Sequence, residues 1–85
     1  MYIIEEYGAP WCSQCKMQLN EFKKNSISVE VKSINVDELD DESIDKLQLK
    51  SIPVILLKKD KEILNRWNGF TKSQVINDYI ESIEN

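Results

Sequence analysis

Eighty-five residues, 41% of them apolar, make one small domain and leave no room for a two-domain enzyme or a large cofactor. A chain of this length buries only roughly 60–65% of the surface it exposes unfolded, so its core must be thin and use every apolar element. Eleven basic against fifteen acidic residues give a net charge of −4, which disfavours nucleic acid and anionic membranes as partners, and the lack of histidine excludes imidazole catalysis and imidazole-bound zinc.

The N-terminal run MYIIEEYG has no basic flank, and acids follow only three apolar residues, so it does not read as a signal peptide. No stretch approaches the roughly 20 apolar residues needed to cross a bilayer. The expectation is a soluble cytoplasmic protein.

Residues 2–7 read as a strand, closed by Pro10, which has no donor for a ladder. From Ser13 to about Asn25, Cys15, Leu19 and Phe22 recur at helical spacing, with Lys16, Asn20, Lys23 and Lys24 on other faces; Cys12 then stands at the helix N-terminus. Val29 and Val31 alternate with polar residues, and Ile34 and Val36 resume one residue out of phase, which predicts a second strand with a bulge near Lys32 and Ser33.

The acidic stretch 37–45 leads into a short helix with Ile44 and Leu47 inward, ending before Pro53. Its acids lack the spacing of a calcium loop and fit a solvated helix start. Val54 to Leu57 is continuously apolar, as in a strand covered on both faces, and 62–67 is its hairpin partner across a polar turn at 58–61. After Gly69, Thr71 and Gln74 fit a capping box, and Val75, Ile76, Tyr79, Ile80 and Ile83 form a helical stripe. Trp67 and Tyr79 are expected to pack in the core or hairpin. The order is βαβαββα.

Cys12 and Cys15, in Trp11-Cys12-Ser13-Gln14-Cys15-Lys16, carry the chemistry. As a staple, a loop of about four residues contributes only about 2 kcal/mol in the chain-entropy relation, against about 4.7 for a 100-residue loop. A zinc or iron–sulfur site needs four ligands, which this pair could complete only across a dimer. A thiol at a helix N-terminus meets unpaired N–H groups and the positive end of the helix dipole, and both favour the reactive thiolate. Three residues on, Cys15 comes round one turn and lies beneath it. Cys12 can attack a target disulfide and Cys15 can then resolve the mixed disulfide.

With Trp11-Cys12-x-x-Cys15-Lys16 after a first strand, Ile52-Pro53 before a buried strand and Gly69 after the last, the chain resembles the thioredoxin superfamily over essentially its whole length. The resemblance implies the minimal thioredoxin fold, a four-stranded mixed sheet with helices on both faces, and a protein-disulfide oxidoreductase needing neither metal nor organic cofactor. It implies that Pro53 is cis opposite Cys12 and that the peptide at Ile52 offers hydrogen bonds to an extended substrate. A proline at a strand start also fits a plain helix terminator.

Glu6 matches the buried acid that thioredoxins carry six residues before the nucleophile, a proton acceptor for the covered thiol; the bland alternative is a solvated strand end. Ser33 stands where many thioredoxins place a lysine near that acid. Trp11, Gly69 and Phe70 would border the substrate groove. Gln14, Ile52-Pro53-Val54 and Trp67-Asn68-Gly69-Phe70 resemble small redoxins that look like glutaredoxins, some of which serve class Ib ribonucleotide reductase. Asn68-Gly69-Phe70-Thr71 lacks the Gly-Gly and acidic residue that bind glutathione in glutaredoxins, so thioredoxin reductase is the implied electron donor. A glutathione-dependent glutaredoxin and a non-catalytic interaction subunit are the alternatives. A monomer is expected.

Overall fold

The computed structural model describes residues 1–84. Its elements are β1 (Tyr2–Gly8), α1 (Ser13–Lys24), β2 (Glu30–Asn35), a 3₁₀ turn (Val36–Glu38), α2 (Asp41–Leu47), β3 (Val54–Lys59), β4 (Glu62–Asn68) and α3 (Ser73–Glu84). The sheet order is β2-β1-β3-β4, with β1 parallel to β2 and antiparallel to β3, and β3 antiparallel to β4. The expected βαβαββα mixed sheet is present, with one 3₁₀ turn added ahead of α2.

Strand periodicity sends alternate residues to opposite faces, and both faces are covered. On one, Ile4, Ile55 and Leu57 are fully buried beneath Ile76 and Ile80 of α3, with Phe22 of α1 and Trp67 and Tyr79 packed alongside. The Trp67 and Tyr79 rings meet edge to face at 5.6 Å, the favoured geometry for aromatic pairs. On the other face, Tyr7, Val54 and Leu56 lie beneath α2, with Val36 and Leu49 buried and Ile44 and Leu47 against them. Each fully buried aliphatic side chain stabilises the fold by about 1.5–3 kcal/mol.

This two-sided covering corrects the bulge expected near Lys32 and Ser33. The β1–β2 register runs unbroken from Ile3 opposite Glu30 to Gly8 opposite Asn35. Val29 and Val31 pack toward α1 and α3, whereas Ile34 and Val36 pack toward α2, so the apolar phase changes because the strand serves two cores. The irregularity lies between β3 and β4 instead: Leu57 faces Asn65 and Lys58 faces Ile63, leaving Leu64 as the extra residue.

The start of α3 also differs from expectation. No Thr71–Gln74 capping box forms; the Thr71 hydroxyl donates to the Gly69 carbonyl (3.1 Å), and the helix begins at Ser73. The cap comes from α1: a Glu21 carboxylate oxygen accepts the Ser73 N–H at 2.9 Å, which holds its carboxyl below the ordinary range. Val75, placed in the inward stripe, is 49% exposed, because Ile76 and Ile80 carry the contact with the sheet.

Arg66, on β4, reaches across to the end of α2. Its guanidinium donates to the carbonyls of Leu47 (2.5 Å) and Gln48 (2.8 Å), the last turn of that helix, and to Asn68 Oδ1 (2.8 Å). Gln48 takes the left-handed conformation, φ 54°, that commonly closes a helix. The chain leaving that cap runs straight into Ile52 and Pro53.

Candidate active site

At the C-terminal end of β1 the chain turns through Ala9 and Pro10 into α1. Cys12 is the N-cap, with extended backbone angles (φ −94°, ψ 111°), and its sulfur accepts the Cys15 N–H at 3.2 Å. The first turn of α1 contains no acid, so no carboxylate in that turn opposes negative charge at that sulfur. Cys12 and Cys15 are joined as a disulfide with Cα atoms 5.2 Å apart. Their exposures are 9% and 2%, so Cys12 is the sulfur an approaching partner reaches first and Cys15 is the covered one. Lys16 is exposed.

Two loops complete the surroundings of Cys12. The Ile52-Pro53 peptide is cis, as the resemblance implied, and the Ile52 carbonyl oxygen lies 3.8 Å from Cys12 Sγ. Among the described residues, neither the N–H nor the carbonyl of Ile52 takes a backbone partner, which leaves this peptide able to pair with an extended segment beside Cys12 Sγ. The Gly69 N–H donates to the Pro53 carbonyl at 2.8 Å, tying the second loop to the first. Gly69 has φ +87°, where a side chain would be strained. Phe70 is 38% exposed beside it. Trp11 is 69% exposed, and its indole N–H donates to Asp37 Oδ2 at 2.9 Å, which fixes the ring although most of it faces solvent.

Glu6 is 1% exposed, which settles the choice between a buried and a solvated carboxyl. One oxygen accepts the Ser33 hydroxyl at 3.1 Å; the other is buried without a partner. Burial raises the Glu6 pKa, and the Ser33 hydrogen bond opposes that rise in part. Glu6 and Cys15 share a cavity of about 260 Å³ that Gly8, Lys16, Ser33 and Glu38 also line. Gly8 keeps them in communication: a Cβ there would sit 2.6 Å from Glu6 Oε2 and 3.0 Å from Cys15 Sγ. The buried carboxyl and the covered sulfur thus face one another across the gap that Gly8 leaves.

The fold thus gathers Cys12, Cys15, Trp11, Ile52, Pro53, Gly69 and Phe70 at one pole, with Glu6 beneath them. Three residues in the surroundings were not singled out by sequence. Asp37 was taken only as part of a solvated acidic run, and Glu21 lies in a polar stretch of α1. Gln18 is fully buried, with its side-chain amide paired to the Thr71 backbone. Its sequence signal is a polar residue in the middle of the stripe formed by Cys15, Leu19 and Phe22.

Comparison with known proteins agrees with this arrangement. The sequence profile of the Thioredoxin family matches residues 1–82. Thioredoxin of Bacillus subtilis (strain 168) is 29% identical over 82 residues, which are 92% of this chain and 78% of that protein. Among solved structures, thioredoxin-2, described as a component of the malaria parasite's protein secretion machinery, superposes with a TM-score of 0.80 at 27% identity, covering 96% of this chain and 82% of its own. A thioredoxin of Halobacterium salinarum NRC-1 carrying one substitution reaches 0.79 over 95% of this chain and 73% of its own; at 23% identity it supports the fold alone. A dithiol pair at a helix N-terminus, facing a cis-proline in this sheet, is what the matched family uses to exchange disulfides, and the chain belongs to that family, the thioredoxins.

Proposed function

We propose that this thiol–disulfide oxidoreductase works as a monomeric cytoplasmic redoxin that reduces protein disulfides and is recharged by a thioredoxin reductase, with no metal or organic cofactor. The Cys12 thiolate, held by the Cys15 N–H and the helix dipole, attacks one sulfur of a target disulfide; the other target sulfur leaves as a thiolate and takes up a proton. Cys15 then gives its proton to Glu6 and attacks Cys12 Sγ, and the Cys12–target bond breaks. The second target sulfur leaves as a thiolate and takes up a proton from solvent, Glu6 later losing its own to solvent, and the target departs as a dithiol with the Cys12–Cys15 bond closed. Two electrons pass to the target. Ile52 pairs with the target backbone, while Trp11, Gly69 and Phe70 border the groove.

The observation that carries this division of roles is the unequal burial of the two sulfurs, with the cavity of Glu6 reaching only the covered one. The preference for a reductase over glutathione rests on the last loop. Its Thr71 N–H is already taken by Gln18, and Asn68-Gly69-Phe70-Thr71 supplies no acidic residue to receive the glutathione amine. Class Ib ribonucleotide reductase is the target class to try first, given Gln14 and the Trp67-Asn68-Gly69-Phe70 segment.

Insulin reduction followed with NADPH and thioredoxin reductase, in parallel with NADPH, glutathione and glutathione reductase, tests the electron source; turnover with glutathione alone overturns it. In the same preparation Cys15→Ser should accumulate mixed disulfides through Cys12 while Cys12→Ser accumulates none. Equal trapping by both would reverse the assigned roles.

A further inference from the structure

Gln18 is the most deeply placed polar side chain of α1 and is fully buried. Its Nε2 donates to the Thr71 carbonyl at 2.7 Å, and its Oε1 accepts the Thr71 N–H, also at 2.7 Å. A side-chain amide that satisfies both backbone groups of one residue acts as a one-residue strand partner, and it fixes that residue in position and orientation. Gln18 also lies one turn beyond Cys15 on the helix that carries both sulfurs.

From Thr71 the links return to the reacting sulfur. The Thr71 hydroxyl donates to the Gly69 carbonyl at 3.1 Å, the Gly69 N–H donates to the Pro53 carbonyl at 2.8 Å, and the Ile52 carbonyl lies 3.8 Å from Cys12 Sγ. The circuit thus starts and ends on α1 and encloses both loops that flank the groove. Apolar packing could hold α1 against α3 equally well, but it would not fix the backbone orientation of residues 69–71. A buried amide makes that link directional and leaves it unsatisfied if the loop moves away.

We infer that Gln18 is a positioning residue for protein substrates: it holds the loop of Gly69, Phe70 and Thr71 at a fixed distance from Cys12, so that an extended peptide fits between that loop and Ile52. This rests on Gly69 and Phe70 being a wall of the groove. A small disulfide that never touches the wall should be indifferent to Gln18, whereas a peptide disulfide should depend on it.

The test uses the full chain, reduced with dithiothreitol and desalted, in single-turnover reactions with somatostatin, a disulfide-closed peptide, and with 2-hydroxyethyl disulfide. Gln18→Leu keeps the volume but loses both hydrogen bonds; it should react about tenfold more slowly with somatostatin and within about twofold of wild type with the small disulfide. Gln18→Glu gives an independent arm. Its buried carboxyl should have a raised pKa, and when protonated it can donate to the Thr71 carbonyl and accept from the Thr71 N–H as the amide does. The ratio of peptide to small-disulfide rates, which cancels the common dependence on thiolate, should approach the wild-type ratio at about pH 5.5 and fall away by about pH 8. Phe70→Ala checks the wall itself. If Phe70→Ala slows the peptide reaction and neither Gln18 variant changes the ratio, the positioning role is overturned while the wall stands; if Phe70→Ala is also without effect, both fall. An equal slowing of both substrates by Gln18→Leu, with no pH-dependent recovery in Gln18→Glu, would make Gln18 a structural residue only.

Discussion

Glu6 is held in two unequal ways, with one oxygen on Ser33 and the other buried without a partner beside the gap left by Gly8. A carboxyl whose pKa is higher folded than unfolded binds its proton more tightly in the native state. It therefore favours folding at low pH, and that contribution is lost as pH rises through its native pKa. Glu6→Gln removes the ionisation. Thermal melts of wild type and variant should diverge as pH rises above the ordinary glutamate value of 4.5, with Glu6→Gln the more stable of the two. The same substitution should slow resolution of the mixed disulfide by about 10²-fold, the usual worth of a positioned base, while the initial attack by Cys12 is spared. Stopped-flow fluorescence from Trp11, next to the nucleophile, can separate the two steps. Loss of the attack step instead would place the proton exchange at Cys12.

Among the elements, α2 depends most on a single distant side chain. Its seven residues are too few to be stable alone, it buries no residue completely, and its last carbonyls are held by Arg66. Arg66→Met should cost about 1–2 kcal/mol in urea denaturation, the lower end for hydrogen bonds to a charged group because the guanidinium is partly solvated. Arg66→Lys should recover less than half, since one ammonium cannot span two carbonyls and Asn68 as the planar fork does. Full recovery by lysine would reduce the contact to a simple charge effect.

Elements of this kind also show how far the sequence could be followed. The α3 stripe, the apolar run of β3, the cysteine pair and Pro53 were legible because each is encoded in adjacent or helically spaced residues. The shift of phase in β2 was legible but ambiguous, since a bulge and a strand shared by two cores leave the same pattern. The cap of α3 was not legible: it is a carboxylate from 52 residues earlier, a tertiary contact that Thr71 and Gln74 only mimicked. The partner of Glu6 likewise comes from Ser33 across the β1–β2 pair, and Gln18 reads only as a polar break in the α1 stripe until Thr71 is brought against it.

At the scale of the whole molecule, β3 belongs to both cores, with Val54 and Leu56 facing α2 and Ile55 and Leu57 facing α1 and α3. A domain of this size has a net stability of about 4–13 kcal/mol at 0.05–0.15 kcal/mol per residue. Leu57→Ala, at a fully buried site, should remove about 2–5 kcal/mol of it. Because the strand is common to the two layers, loss of Trp fluorescence and loss of far-ultraviolet circular dichroism should coincide in the variant as in wild type. Separate transitions would mean that the two layers melt independently.

The direction of β1 has a practical consequence. The strand begins beside the β3–β4 turn, where the Met1 ammonium is 3.5 Å from Asp60, and ends at the turn into Cys12. Seven strand residues at about 3.3 Å each separate those points by about 23 Å. A support or affinity handle joined at Met1 would project from the pole away from the sulfurs. Immobilised through that end, Cys15→Ser could present an unobstructed groove to a cell extract and retain its targets as covalent, thiol-elutable complexes.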